Sequence, residues 1–175
     1  MVGAGIFALM GEAAAKAGAE AAGLTGRAEA QHIAAHRYDL AVALAAAELR
    51  DGSTTGTPED TLAQLLDETL PYQAQVASAH GLRLVMYEGG THVVGYGPMV
   101  EDQALTDFFA ALNFSPEMGA LYGQLLSGWA GLSDQPFNAF VDIYTPNKWG
   151  SWGALRHLGD ENPRWLALAR GCDPC

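Results

Sequence analysis

Basic residues are scarce in this chain of 175 residues, which has 9 lysines and arginines against 20 aspartates and glutamates. The formal net charge of −11 repels phosphate backbones and anionic lipid headgroups. We therefore expect no nucleic-acid partner. Charged residues are only 17% of the chain and hydrophobic residues 49%, so the sequence can bury the core of one domain.

A long hydrophobic run is also lacking. The most apolar stretch, Val2 to Met10, is followed by Glu12 and Lys16 and is far shorter than the roughly 20 residues that a membrane-spanning helix needs. No basic segment precedes this stretch, as it would in a secretory signal. The sequence predicts no membrane association and leaves the compartment open.

Cysteines and clustered metal ligands are few. Cys172 and Cys175 form a single CxxC motif, which provides only part of a structural zinc site and does not open a helix as redox motifs do. We interpret it as a frayed tail or a terminal disulfide. The histidines have neither HxH nor HExxH spacing. Two weaker ligand sets stay open, namely Glu88 with His92, His80 and His157, and the helix-spaced pair His32 and His36. We predict no metal and no cofactor.

Two common catalytic signatures are missing. The chain has no G-x-S-x-G elbow for a serine nucleophile, and Gly150 to Gly153 lacks the spacing. The glycines from Gly89 to Gly97 are followed by no GK[ST] and include no G-x-G-x-x-G that opens a helix. A serine hydrolase and a nucleotide-binding domain are therefore disfavoured.

Helical periodicity and capping residues predict a helix-rich chain. Thr57 is expected to cap the helix that begins at Pro58, Ser115 the helix that begins at Pro116, and Pro71 to bend the former. The predicted helices are Ala13 to Ala22, Thr25 to Arg50, Pro58 to Ala79, Val100 to Leu112, Pro116 to Trp129 and Pro163 to Arg170.

Two short apolar runs predict β-strands. Leu82 to Tyr87 is nearly continuous, as in strands buried on both faces of a parallel sheet, and Phe137 to Tyr144 is similar. A helical crossover joins them, which favours a parallel pair. We expect an α/β fold in one domain, residues 1–175, with strands at 82–88 and 137–144 and flanking helices. A helical segment, residues 1–57, precedes the α/β portion, residues 58–175.

Chemically informative residues follow both predicted strands. Glu88 precedes two glycines, which allow a sharp turn and the close approach of a ligand. Sugar sites combine aromatic platforms with carboxylates and amides. The candidate catalytic residue is Glu88, and the candidate substrate-binding residues are Tyr87, His92, Tyr144, Asn147, Trp149 and Trp152. In the alternative, the tryptophans pack in the core and Glu88 pairs with Arg83 or Lys148.

The segments LVMYEGGTH, from residue 84, and FVDIYTPNKWGSWGAL, from residue 140, resemble the last two strand units of a cellulase-like (β/α)8-barrel glycoside hydrolase. The resemblance covers about residues 58 to 170. It implies a partial (β/α)8-barrel-like fold, Glu88 as the nucleophile of a retaining glycosidase, and Trp149 or Trp152 beside the cleaved bond. It also suggests a secreted or periplasmic protein.

This chain lacks one catalytic feature of the family that it resembles. A retaining enzyme needs a second carboxylate, which in the family comes from an earlier strand, often within Asn-Glu, and this chain has no Asn-Glu pair. We therefore expect a glycoside-hydrolase-like domain that acts on or binds carbohydrate, with a homo-oligomer or a missing N-terminal segment as partner. The alternatives are a non-catalytic barrel fragment that oligomerises and a helical interaction protein.

Overall fold

The computed structural model of this chain describes residues 38–171. Within this range the chain forms helices joined by loops, and the loops contain isolated bridges rather than a β-sheet. Several predictions lie outside the described residues: the helix from Ala13 to Ala22, the first part of the helix from Thr25, and the side chains of His32, His36, Cys172 and Cys175.

Helix α1, Asp39–Asp51, ends where the sequence predicts. Gly52 terminates it with φ of 72°, a left-handed conformation that glycine adopts without steric cost, and its N–H donates to Glu48 O at 2.9 Å. The buried Glu48 carboxylate accepts from the Thr55 N–H at 2.9 Å and from the Thr55 hydroxyl at 2.6 Å. These bonds fold the following turn back onto the helix.

Helix α2 consists of an α-helical turn, Leu62–Gln64, a π-helical turn, Leu65–Thr69, and an α-helix, Leu70–Ala79. The predicted start at Pro58 is wrong, because the Thr61 hydroxyl, rather than Thr57, caps the first turn by accepting from the Gln64 N–H at 3.2 Å. Pro71, which lacks an N–H, is the second residue after the π-helical turn, and the turn has already shifted the pattern of backbone hydrogen bonds there.

The other helices follow the local sequence signals closely. A 3₁₀ turn, Gly97–Glu101, leads into α3, Gln103–Asn113, which Asp102 caps by accepting from the Leu105 N–H at 3.1 Å. Ser115 caps α4, Pro116–Leu132, as predicted, and α5 is Pro163–Gly171. Proline stands at the first position of α4 and of α5, where its missing N–H has no cost.

The core lies between the inner faces of α1 to α4. Leu49, Leu112 and Met118 are fully buried there, and Met86 and Val93 extend the core into the segment that follows α2. Helix α5 packs mainly against α4, where Gly119 approaches Pro163 so closely that a Cβ atom at Gly119 would lie 2.8 Å from the Pro163 carbonyl oxygen.

The predicted strands at 82–88 and 137–144 are wrong. Both segments are extended, yet they meet in one isolated parallel bridge between Gly89 and Ala139, with Gly89 N–H donating to Asn138 O at 2.8 Å. Leu84 and Met86 turn inward, whereas Val85 is 56% and Tyr87 68% exposed. A strand buried on both faces requires a second covering layer, and the described part of the chain provides none for this outer face.

The predicted α/β class and the partial (β/α)8-barrel-like architecture are therefore wrong for residues 38–171, which form a helical bundle with loop segments. Barrel closure requires a continuous ladder between neighbouring strands. Here the ladder is replaced by three isolated bridges, Gly89 with Ala139, Ile143 with Leu155, and Asn147 with Gly150. In residues 38–171, no helix is long and apolar enough to cross a membrane.

Candidate functional site

An aromatic cluster forms around Trp152. Its ring centroid lies 5.2 Å from that of Tyr144, 5.7 Å from that of His92 and 6.2 Å from that of Phe140. These distances lie in the range of favourable edge and tilted contacts between rings. The structure thus brings together three of the predicted site residues, His92, Tyr144 and Trp152, from two loops that are separate in sequence.

A tight turn beside the cluster positions Asn147 and Trp149. Asn147 and Gly150 exchange two backbone hydrogen bonds of 3.0 Å each. The Asn147 amide donates to the Tyr144 hydroxyl at 2.9 Å, and its oxygen accepts from the Trp149 N–H at 2.8 Å. Glycine is needed at position 150, because a Cβ atom there would lie 2.5 Å from the Trp152 ring.

Trp149 is displayed at the surface, with 57% of its area exposed. The Lys148 ammonium lies 5.0 Å from the centre of the indole and forms an ion pair of 2.6 Å with Glu101, which reaches over from the 3₁₀ turn. The His92 Nε2 atom lies 3.1 Å from the Trp149 carbonyl oxygen. The ion pair therefore lies against the indole, while the Asn147 amide and the His92 imidazole hold the Trp149 backbone.

Backbone pairing holds the segment that carries these side chains. Val141 N–H donates to Trp152 O at 3.2 Å, and Ala154 N–H donates to Val141 O at 2.7 Å. Further along, Tyr144 N–H donates to Leu155 O at 3.0 Å. The segment before the turn and the segment after it therefore run parallel over a few residues, which presents Tyr144 and Trp152 next to each other.

A buried polar network lies beneath the cluster, and the sequence did not suggest it. The Arg164 guanidinium, on a residue that is 1% exposed, donates to Ser151 O at 2.8 Å, to Gly153 O and to Asn113 Oδ1 at 3.2 Å. Asn113 Oδ1 also accepts from the Thr91 hydroxyl at 2.6 Å. This network connects the loop that contains His92 with the loop that contains Trp152.

Only one sequence signal could have indicated this role of Arg164. The helix dipole disfavours a cation in the first turn of a helix. An arginine directly after Pro163 must therefore be stabilised by contacts outside its own helix. Burial lowers the pKa of the Arg164 guanidinium from its ordinary value. The guanidinium also lies 4.5 Å from the centre of the Phe114 ring, a cation–π contact.

Glu88 and Tyr87 lie at the end of the segment that leads into this region. Glu88 is partly buried, and within residues 38–171 its carboxylate forms no hydrogen bond or ion pair. The alternative pairing with Arg83 or Lys148 is therefore wrong, since Lys148 binds Glu101 instead.

Tyr87 is 68% exposed, and its carbonyl oxygen accepts from the Asn138 amide. The adjoining bridge at Gly89 leads to Phe140, a member of the cluster.

A pocket elsewhere shares no lining residue with the cluster. It has a volume of about 310 Å³ and is lined mainly by polar and acidic side chains from the end of α1, the α1–α2 loop and α2, among them Asp51, Glu59, Asp67 and Glu68. Over the described range, no group of three or more histidine, cysteine, aspartate or glutamate side chains is arranged to hold a metal ion.

The aromatic cluster is the candidate site that this structure presents most clearly. Its neighbours combine exposed indole surface with hydrogen-bonding groups on a rim. When the chain is compared with protein-family models, with curated proteins and with solved structures, no family, no curated protein and no solved structure matches it.

Proposed function

We propose that this chain binds carbohydrate at the surface formed by Tyr144, Asn147, Trp149 and Trp152. The observation that supports it most is the exposure of Trp149, 57%, directly beside an ordered set of polar groups. A tryptophan placed there for core packing would be covered. This one remains open to a ligand.

The chemistry of the surface suits a sugar ring. Sugars pack their apolar C–H face on an indole and direct hydroxyl groups outward to donors and acceptors. The Lys148 ammonium lies over one face of the Trp149 indole, 5.0 Å from its centre, so a sugar would stack on the opposite face. The Glu101 carboxylate, the Asn147 amide and the His92 imidazole lie nearby, and each keeps further hydrogen-bonding capacity for a sugar hydroxyl beside its bond to Lys148, Tyr144 or the Trp149 carbonyl oxygen.

The binding proposal is tested by calorimetric titration with cellohexaose, laminarihexaose and mannohexaose. Replacing Trp149→Ala should weaken binding by about tenfold or more, because a central aromatic contact is lost. Trp165→Ala is the matched control, since Trp165 is 37% exposed but lies on α5 outside the cluster. Equal affinity of wild type and Trp149→Ala, or no binding to any of the three sugars, would contradict the proposal.

Hydrolysis is the further step that Glu88 could provide. Its carboxylate is unpaired within the described residues and partly buried, so it is available as a nucleophile. A retaining mechanism also needs an acid/base carboxylate about 5 Å away. Glu88→Gln should abolish any turnover of aryl glycosides while it preserves sugar binding. Unchanged turnover would remove Glu88 from the mechanism.

The exposed face of residues 82–88 favours a second function, self-association. Arg83, Val85 and Tyr87 alternate outward along an extended segment, and residues 83–88 form no backbone–backbone hydrogen bond within the described chain. The Leu84 and Tyr87 carbonyl oxygens accept from side chains, the Ser133 hydroxyl and the Asn138 amide. Antiparallel pairing of two copies about Val85 would place each Arg83 opposite the Tyr87 ring of the other copy, a favourable cross-strand contact. Exposed edges of this kind pair readily with another chain.

Sedimentation velocity over a range of concentrations tests self-association. We expect a wild-type dimer, which Val85→Lys converts to a monomer because two ammonium groups would face each other at the centre of the pair. Leu158→Lys is the control, since Leu158 is 88% exposed but lies elsewhere. A wild-type monomer at all concentrations would exclude this function.

A further inference from the structure

Arg164 is the most deeply buried cation among the described residues. It is 1% exposed, and no carboxylate forms an ion pair with it there. A buried charge of this kind is costly, and a well-packed apolar side chain often stabilises a fold equally well. The position therefore calls for an explanation other than stability.

The partners of Arg164 show which backbone segments its guanidinium holds in place. Its two terminal nitrogens donate to the carbonyl oxygens of Ser151 and Gly153, the residues on either side of Trp152. A planar guanidinium offers these donors at a fixed angle, so it determines the direction of both carbonyl groups. The backbone on each side of the Trp152 ring is thereby held in one orientation.

The same guanidinium reaches the other loop through Asn113. Asn113 Oδ1 accepts from Arg164 at 3.2 Å and from the Thr91 hydroxyl at 2.6 Å, and the Asn113 amide donates to Phe109 O at 2.8 Å on its own helix. Thr91 N–H donates to the Tyr122 hydroxyl at 3.2 Å. Thr91 directly precedes His92, so the network determines where the backbone of His92 lies.

We infer that Arg164 is a positioning residue that holds the His92 loop and the Trp152 loop in register, so that the His92 imidazole and the Trp152 indole form one surface. The inference goes beyond carbohydrate binding, because it concerns the arrangement of the site without a ligand. Arg164 itself lies beneath the surface and is not a sugar-contacting group.

The test compares Arg164→Met with Arg156→Met by proton NMR without ligand. Both arginines lie over the same Phe114 ring, at 4.5 Å and 4.7 Å, but Arg156 is at the surface and pairs with Asp160. The Trp152 indole, whose centroid lies 5.7 Å from that of His92, should shift the signals of the His92 ring protons. We expect this shift to be largely lost in Arg164→Met and retained in Arg156→Met.

A role in stability alone would give a different result. Arg164→Met would then melt at a lower temperature but show the wild-type His92 signals well below its melting point, and this would overturn the inference. Arg164→Lys keeps the charge but lacks the planar guanidinium with its paired N–H donors, so the His92 shift should be only partly retained. A wild-type His92 shift in Arg164→Lys would also contradict the proposed role of the guanidinium.

A milder variant keeps the test decisive if Arg164→Met does not fold. Thr91→Val removes only the bond to Asn113 Oδ1, at the far end of the network. It should change the His92 shift in the same direction as Arg164→Met, but less. Wild-type His92 signals in folded Thr91→Val would overturn the inference.

The ligand-free readout separates this inference from the binding proposal. If the wild type binds no sugar while Arg164→Met loses the His92 shift, carbohydrate binding fails and the positioning role stands. If the wild type binds sugar and the His92 shift is unchanged in folded Arg164→Met, the binding proposal stands and the positioning role of Arg164 fails. Where both stand, Arg164→Met should also weaken sugar binding by about tenfold, because a poorly ordered site must be ordered on binding.

Discussion

The helical part of this protein and the loop region between Ser133 and Asn162 are held together by different interactions. In the helices, apolar side chains such as Leu49, Leu112 and Met118 are fully buried. In the loop region, by contrast, order comes from backbone bonds such as Ala154 N–H to Val141 O and from the buried groups of Asn162 and Arg164.

The difference matters because the two kinds of interaction specify structure to different degrees. Hydrophobic burial is non-directional, so a helix bundle tolerates small shifts of its members. Hydrogen bonds to buried groups have strict geometry, and one unsatisfied group costs roughly 1–3 kcal/mol. The loop region therefore holds Phe140, Tyr144 and Trp152, three of the four rings of the aromatic cluster, in defined relative positions.

The largest expected effect concerns the apolar side of the comparison. Leu112→Ala removes a side chain that is fully buried between the helices and should lower the free energy of unfolding by about 2–5 kcal/mol. Leu158→Ala, in the loop region, should change it by less than about 0.5 kcal/mol, since Leu158 is 88% exposed. Urea denaturation measures both. Similar losses would mean that the two regions do not differ as described.

A pair of glycines in α4 tests how the loop region depends on helix packing. Gly119→Ala places a Cβ atom 2.8 Å from the Pro163 carbonyl oxygen, so α5 must move, and we expect a loss of about 1–3 kcal/mol. Gly123→Ala meets nothing within 4 Å and should stabilise α4 by about 0.5–1 kcal/mol. Thermal unfolding distinguishes the two. A Gly119→Ala variant that is more stable than wild type would show that α5 is not tightly packed against α4.

The smallest expected effect is electrostatic and concerns the loop before α5. The side chain of Asp160 accepts from Arg156 Nη2 at 2.6 Å and from the Asn162 amide at 3.0 Å. The bonds from Arg156, in particular, hold the pKa of the Asp160 carboxyl well below its ordinary value. Asp160→Asn should therefore lower stability at neutral pH, by about 1 kcal/mol.

The pH dependence of this effect has a definite sign. The folded state binds the Asp160 proton more weakly than the unfolded state, so the carboxylate stabilises the fold fully above an ordinary aspartate pKa of about 4. That contribution is lost as the pH falls from there through the lowered pKa. Urea midpoints of wild type and Asp160→Asn should therefore differ most at pH 7, and the difference should begin to shrink only as the pH falls below about 4, toward the lowered pKa of the folded state. A difference independent of pH would contradict it.

Local signals in the sequence predicted the helices well. Ser115 with Pro116 marked the start of α4, Pro163 marked the start of α5, and the end of α1 fell within one residue of Arg50. The predicted start of α2 was wrong because Thr57 and Thr61 are both good capping residues. Such signals act within a single turn, so they can be recognised without the rest of the fold.

The extended segments could not be predicted in this way. The apolar run from Leu82 to Tyr87 satisfies the pattern of a strand, but a sheet needs partners and covering layers that lie far away in sequence. The same limit applies to the site. The sequence proposed His92, Tyr144 and Trp152 from their residue types, and whether they bind sugar stays a prediction.

By itself, the sequence determined the approximate positions of the helices within residues 38–171, the Ser115 cap of α4, and a set of aromatic and polar residues that follow its two apolar runs. The tertiary structure decided that those runs form no sheet within the described range and that Arg164, Asn113 and Thr91 connect the two loops beneath Trp152. Helix signals are local, whereas a buried hydrogen-bond network joins residues that only the folded chain brings together.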